Sequence, residues 1–373
     1  MKLSNALVFD PQMGFVRRDL CTEGDRIGES CGDAAADLSG CYIIPGLTDL
    51  HFHGCRGADF SDGDAEGLQT MADYELSRGV TQICPAGMTL SEEQLMVICR
   101  NAAHHRANSR SGAELAGVNL EGPFLSKAKK GAQNEAWLHA PDADLLLRLW
   151  EASEGLVKLV SVAPEEPGAL DFIRRVKDRV TVSIAHTAAN YDQAMAAFRA
   201  GAKQVTHLFN AMSPFLHRDP GPVGAAADSD CRVELICDGV HVHPAVVRAV
   251  FRLFGPDRIV IISDSLRAAG MPDGTYILGG QEFTVRGPRA TLADGTIAGS
   301  VTDLMGGMLS AVSFGVPLRD AVTAAAVNPA KALGIYDRVG SLDPGKTANF
   351  AVLNGDLSLR AVVFHGALVH GAL

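Results

Sequence analysis

Eight short apolar runs recur through the middle of the chain, 43–51, 80–85, 115–121, 156–162, 180–186, 204–207, 233–238 and 259–264, and all but the second and fourth close on a polar or ionisable residue. Such runs read as strands buried on both faces, as in a parallel sheet. Between them the segments 65–78, 91–107, 142–152, 170–178, 191–200 and 244–254 place apolar residues at i, i+3 and i+4 and begin near Ser, Asp or Pro. That is the pattern of amphipathic helices. Strand followed by helix, repeated eight times, predicts an α/β fold of the (β/α)8 TIM-barrel type, although a doubly wound open sheet shows similar alternation.

Both ends depart from this rhythm. Residues 1–45 hold β-prone pieces at 2–9 and 40–44, broken by Pro, Gly and Asp, and 340–373 reads as a turn at Pro344-Gly345 followed by two or three strands. The two segments are expected to pair into one small β-sandwich domain, leaving 46–339 as the barrel domain. The Gly-rich stretch 270–297 reads as a hairpin excursion before the final helices.

Chemistry gathers at the strand ends. His51 and His53 occupy alternate positions, so period-two geometry points both rings to one side, where they can share a metal. Glu121, His186, His207 and Asp264 each terminate a separate predicted strand, and in a barrel all such ends open on one face. Any one of these histidines alone reads as a hydrogen-bonded or surface residue, and seven others (His104, His105, His139, His217, His243, His365, His370) are read that way. Convergence of six ligand-type residues on one face is what carries the metal reading. Imidazole and carboxylate suit a divalent ion such as zinc, which acidifies water and polarises an amide carbonyl. Asp264 is assigned the proton transfer from water to leaving amine, with a structural or metal-ligating role as its alternative.

Composition narrows the partners. The chain has 373 residues and a formal charge of −10, and no Lys/Arg run exceeds a pair, so nothing marks a nucleic-acid or anionic-membrane surface. Without a signal-peptide pattern or a long apolar stretch, a cytoplasmic location is expected, with small molecules or further copies of the chain as partners. Eight cysteines at 21, 31, 41, 55, 84, 99, 231 and 237 form no C-x2-C pair and are read as reduced thiols.

At PGLTDLHFHG, the later strand-end histidines, Asp264 and the tail GSLDPGKTANFAVL, the chain resembles the amidohydrolase superfamily. Within it the sequence is similar to the N-acetylglucosamine-6-phosphate deacetylase family through NLEGPF, AHTAAN, THLFNAMSPFLHRDPG, DGVHVHP, SDSLRAAGMPDGTY and LADGTIAGS, in family order over nearly the whole chain. Glu121 stands where many superfamily relatives use a carboxylated lysine. The resemblance implies that Glu121, His186 and His207 hold the main metal and that Asp264 is the acid/base. It also implies sugar-phosphate contacts from Asn210, Ala211, Arg218, His241, Ile297, Ala298, Gly299 and the Ala132 backbone, and a homodimer whose subunits complete each other's phosphate site. His51 and His53 add the expectation of a second ion, with Glu121 bridging, so one or two divalent ions, zinc foremost, are expected per subunit.

The implied reaction is hydrolysis of the N-acetyl amide of N-acetylglucosamine 6-phosphate. The galactosamine epimer or a related N-acyl amino sugar phosphate is the alternative substrate, and a barrel that binds without catalysis is the alternative of another class. Three departures stand out: Gln133 replaces the usual His after KGA, where it is expected to donate to the acetyl carbonyl; SLRAAG places Arg267 near the mouth; and VTDLMGG follows Gly299-Ser300.

Overall fold

The computed structural model describes residues 1–30 and 35–373. All eight predicted barrel strands form. They are Leu47–Asp49, Val80–Ile83 resuming at Ala86–Gly87, Glu114–Leu115 resuming at Val118–Leu120, Val157–Val162, Thr181–Ile184, Gln204–Val205, Arg232–Ile236 and Ile259–Ile262. Each pairs in parallel with the next. The circle closes just beyond the strand ends, where Asp264 N–H donates to His51 O at 2.9 Å and His53 N–H to Ser265 O at 2.8 Å. This closure separates a TIM-barrel-like sheet from the open doubly wound alternative.

The run predicted at 43–51 divides in two. Tyr42–Pro45 pairs with Lys2–Asp10 and antiparallel with Phe350–Leu353, whereas Leu47–Asp49 enters the barrel. Gly46 lies at the crossing, where an added Cβ would meet Thr81 Oγ1 at 2.2 Å, so the approach admits no side chain.

The predicted helices are anchored by their first residues. Asp64 accepts from Glu66 N–H and Gly67 N–H at the start of Ala65–Ser77, and Ser91 and Asn190 form capping boxes with Gln94 and Gln193. Asp142 caps Ala143–Ala152 in the same manner. Each cap satisfies backbone donors the helix leaves unpaired, at about 1 kcal/mol apiece.

Both chain ends join one sheet, ordered Ala367–Gly371, Leu359–Phe364, Phe350–Leu353, Tyr42–Pro45, Lys2–Asp10, Gly14–Glu23, Arg26–Gly28, with Ala35–Asp37 beside the start of Lys2–Asp10. Alternation along Phe350–Leu353 assigns its faces: Phe350 and Val352 join an apolar cluster with Leu3, Val8 and Ile43, while Ala351 and Leu353 join the cluster around the barrel. The Gly-rich excursion is a three-stranded antiparallel meander, Gly274–Leu278, Gln281–Arg286 and Arg289–Leu292.

Six cysteines, Cys41, Cys55, Cys84, Cys99, Cys231 and Cys237, are free and buried, as expected of apolar filler. Cys21 is disulfide-bonded, which corrects the reading of every cysteine as a reduced thiol. Cys31 lies outside the described residues. No described helix is long and apolar enough to cross a membrane.

Candidate metal centre

The strand ends bring the predicted ligands onto one carboxylate. Glu121 Oε1 lies 2.7 Å from His207 Nε2, 3.3 Å from His186 Nε2 and 3.5 Å from His51 Nε2, and Glu121 Oε2 lies 3.3 Å from His53 Nε2. Asp264 Oδ1 stands 3.3 Å from His53 Nε2 and 3.7 Å from His51 Nε2. All six side chains are at least nine-tenths buried. Two sets could hold a cation, His51–His53–Glu121 and Glu121–His186–His207, each with its ligand atoms within 4.8 Å of one another.

The ring orientations fit a metal. His186 Nδ1–H donates to Lys129 O at 2.8 Å and His53 Nδ1–H to Ala86 O at 3.1 Å, which leaves each Nε2 lone pair facing the centre. His51 Nδ1–H donates to Glu234 Oε2 at 2.8 Å, and His51 Nε2 is buried without a hydrogen-bond partner. His186 Nε2 and His207 Nε2 sit 3.2 Å apart, too close for two N–H groups to face each other, an arrangement that a shared cation accounts for.

Electrostatics point the same way. Burial opposes protonation of His51, but Glu234, Glu121 and Asp264 overcome it and raise the ring to about 9. Burial likewise opposes, and Asp264 and Glu121 likewise raise, His53. Burial pushes Glu121 up, yet the surrounding imidazoles hold it well below the usual carboxylate range. Asp264 is also held low, chiefly by His53 against the cost of burial. The centre therefore selects positive charge.

A cavity of about 420 Å³ opens over these groups. His53, Glu121, His186, His207 and Asp264 line it, together with Ala132, Gln133, Asn210, Ala211, His241, Ile297, Ala298 and Gly299. His51 lies behind the lining, fully buried. Arg218 is exposed and outside the lining, on the segment that follows Ala211. Arg267 is drawn away from the cavity by Asp62 at 2.7 Å and Asp59 at 3.6 Å. Gln133 reaches the lining, but its amide is engaged by the protein: Oε1 accepts from Thr89 N–H at 2.8 Å and Nε2 donates to Glu121 Oε2 at 2.6 Å.

Two residues that matter went unpredicted. Glu234 accepts from His51 Nδ1–H and from Gln204 Nε2, and Asp238 Oδ2 accepts from His241 Nδ1–H at 2.7 Å. A glutamate inside the apolar strand Arg232–Ile236 was the available signal for the first, since a buried unpaired carboxylate is costly.

The amidohydrolase family model matches residues 42–369. The chain is 38% identical over 330 residues, 87% of its length and 83% of the relative's, to the N-acetylglucosamine-6-phosphate deacetylase of Bacillus subtilis. This chain belongs to the N-acetylglucosamine-6-phosphate deacetylase family of amidohydrolases. An N-acetylgalactosamine-6-phosphate deacetylase of Escherichia coli O157:H7 is 34% identical over 87% of each chain. Among solved structures, a variant of the Mycobacterium smegmatis N-acetyl-D-glucosamine-6-phosphate deacetylase in complex with N-acetyl-D-glucosamine-6-phosphate superposes with a TM-score of 0.92, at 34% identity over 99% of this chain and 98% of that one.

Because Glu234 orients His51 and also accepts from His207 N–H at 3.3 Å, Glu234→Ala should weaken divalent-ion affinity by roughly 10–100-fold. A competition titration against a chromophoric chelator measures this, and an unchanged affinity would show that the strand alone positions the rings.

Proposed function

We propose that this protein is a metal-dependent deacetylase that hydrolyses the acetamide of N-acetyl-D-glucosamine 6-phosphate to D-glucosamine 6-phosphate and acetate. The observation that carries it is the buried carboxylate of Glu121 ringed by four imidazoles, with Asp264 beside them at the floor of a sugar-sized cavity. We assign the principal ion to Glu121, His186 and His207, with zinc as the ion that best suits this ligand set. When bound, the ion supplies Lewis acidity at the acyl group and lowers the pKa of the attacking water.

The chain's own groups do the rest. Asp264, ionised and turned into the cavity, takes the proton of the attacking water and returns it to the leaving nitrogen, so the C–N bond breaks to give acetate and the free amine. His53 holds Asp264 Oδ1 in place at 3.3 Å. Asn210, Ala211, His241 and the Ile297–Ala298–Gly299 backbone, with Ala132 opposite, form the sugar-binding wall. These contacts are proposed from the family resemblance and from the place of each residue in the lining.

Arg218 does not line its own protomer's cavity, and a homodimer that brings Arg218 to the neighbour's substrate phosphate accounts for its position. Phe215, Leu216, Val246 and Leu253 support the dimer, being exposed apolar side chains on the same segment and on the helix Pro244–Phe254. The separate apolar cluster of the terminal sheet supports a division into a small β-sandwich domain, 1–45 with 340–373, and a barrel domain, 46–339. A cytoplasmic site of action suits a substrate whose phosphate bars it from crossing membranes.

The test is amine release from a panel that varies sugar epimer, acyl group and 6-phosphate separately, before and after prolonged chelation. Hydrolysis of N-acetylglucosamine 6-phosphate that is lost on chelation and regained with zinc is expected. Preference for the galactosamine epimer would favour the second reading, which the E. coli relative motivates. Full activity in metal-free protein would overturn the mechanism.

Asp264→Asn should keep the fold and the bound ion while lowering kcat by about 10²-fold or more. Loss of the ion from this variant would make Asp264 a ligand instead. Arg218→Ala should weaken binding of the phosphorylated substrate by about 1.5–3 kcal/mol and leave the unphosphorylated sugar unaffected, as KM for the two substrates would report. Equal losses on both would make Arg218 structural.

A further inference from the structure

The two oxygens of Glu121 face different partners. Oε1 faces His186 and His207, with His51 next, whereas Oε2 faces His53 at 3.3 Å and Gln133 Nε2 at 2.6 Å. A carboxylate that bridges two ions gives one oxygen to each, so an ion at His51 and His53 would draw on Oε2.

The orientation of the Gln133 amide is fixed by its surroundings. Thr89 N–H can only donate, and it donates to Gln133 Oε1 at 2.8 Å. The Glu121 carboxylate can only accept, so the NH2 end must face it. Reversal would set N–H against N–H and oxygen against oxygen at a residue 2% exposed. The bond to Glu121 is short, buried and charge-assisted, which makes it strong. A donor on a carboxylate oxygen withdraws electron density from it and presents partial positive charge to any cation that approaches there.

We propose that Gln133 is a positioning residue that reserves Oε1 of Glu121 for the ion at His186 and His207 and weakens the second ion position at His51 and His53. The protein then holds one divalent ion firmly, and the second position fills only when Gln133 no longer donates. This inference rests on the metal reading above, and its test reads ion content rather than catalysis.

Wild-type protein and two variants are equilibrated with excess zinc, freed of unbound ion, and analysed for zinc per polypeptide. Gln133→Met keeps the length and removes the donor. Gln133→Glu keeps an acceptor for Thr89 N–H while replacing the donor, and it carries the test if Gln133→Met does not fold. About one zinc in the wild type and about two in each folded variant is the expected result, with His51→Ala returning the Gln133→Glu variant to about one. Two ions in the wild type, one ion in either folded variant, or a second ion that survives His51→Ala would each overturn the proposal. Wild-type protein that binds no zinc and still hydrolyses its substrate would overturn the metal reading itself.

Discussion

The open end of the barrel is organised around one buried negative charge. Glu121 is 2% exposed, and an unpaired carboxylate at that depth would cost several kcal/mol to keep ionised. Four imidazoles from three segments converge on it, and their donors and charge outweigh the burial penalty. The dependence is mutual, since Glu121, Glu234 and Asp264 raise His51 against its own burial. A divalent ion meets the same demand with charge concentrated at one point. Uptake of the ion at these rings would release protons, because histidine ligates as the neutral base.

Holding that convergence loads the backbone. His186, His207 and Asp264, each just past a barrel strand, have φ of 41°, 26° and 48°, and Phe209 and Ala211 follow at 77° and 49°. For residues with a Cβ this left-handed region costs of order 1–3 kcal/mol each unless the surroundings over-determine it. The surroundings do. Asp264 is pinned at both ends of its peptide unit, its N–H to His51 O and its carbonyl accepting from Ser300 N–H at 2.7 Å. Beneath the ligands, Ser183 and Thr206 hydroxyls meet at 2.6 Å and Gln204 Nε2 donates to Glu234 at 2.6 Å, so this layer of the barrel is polar and hydrogen-bonded. The bond that closes the barrel and the turn that presents Asp264 are thus the same few atoms.

Much of this was legible in the sequence, for a physical reason. Buried parallel strands need unbroken apolar runs, so an ionisable residue stands out where a run stops, and five of the six side chains that gather at the candidate centre stand there. The sixth, His53, follows from period two. The terminal sheet was harder. Gly14–Glu23 passed unnoticed because Arg17, Arg18 and Asp19 interrupt its apolar pattern, which a strand with partly exposed side chains tolerates. The start of the first barrel strand was hidden because 43–51 reads as one run while its two halves serve different sheets, and the division falls at Gly46, in contact with Thr81. Gln133 lies in the cavity lining, but its partners, Thr89 and Glu121, are 44 and 12 residues away, and no local pattern encodes which way an amide faces.

The wall opposite the metal centre obeys a different rule. His241 meets an acceptor at each ring nitrogen, Asp238 Oδ2 at 2.7 Å and Ala298 O at 2.8 Å, and the imidazolium, with a hydrogen on each nitrogen, is the form that satisfies both. Burial disfavours that charge, and Asp238 restores it, leaving the ring above its ordinary pKa. Through Ala298 the ring ties the end of the antiparallel meander to the loop after Arg232–Ile236, which sets the position of Ile297, Ala298 and Gly299 in the cavity. In the proposed reaction the strand ends that carry Glu121, His186, His207 and Asp264 serve the acyl group, which two sugar epimers share. Whatever separates the epimers must therefore come from the wall, where replacement of a few residues alters contact with a ring hydroxyl without disturbing the buried charge network. Family members named for different sugars are then expected to agree at the carboxylate and its imidazoles and to differ around Ala298 and Asn210, because only there does a change leave the ion and the proton transfer intact.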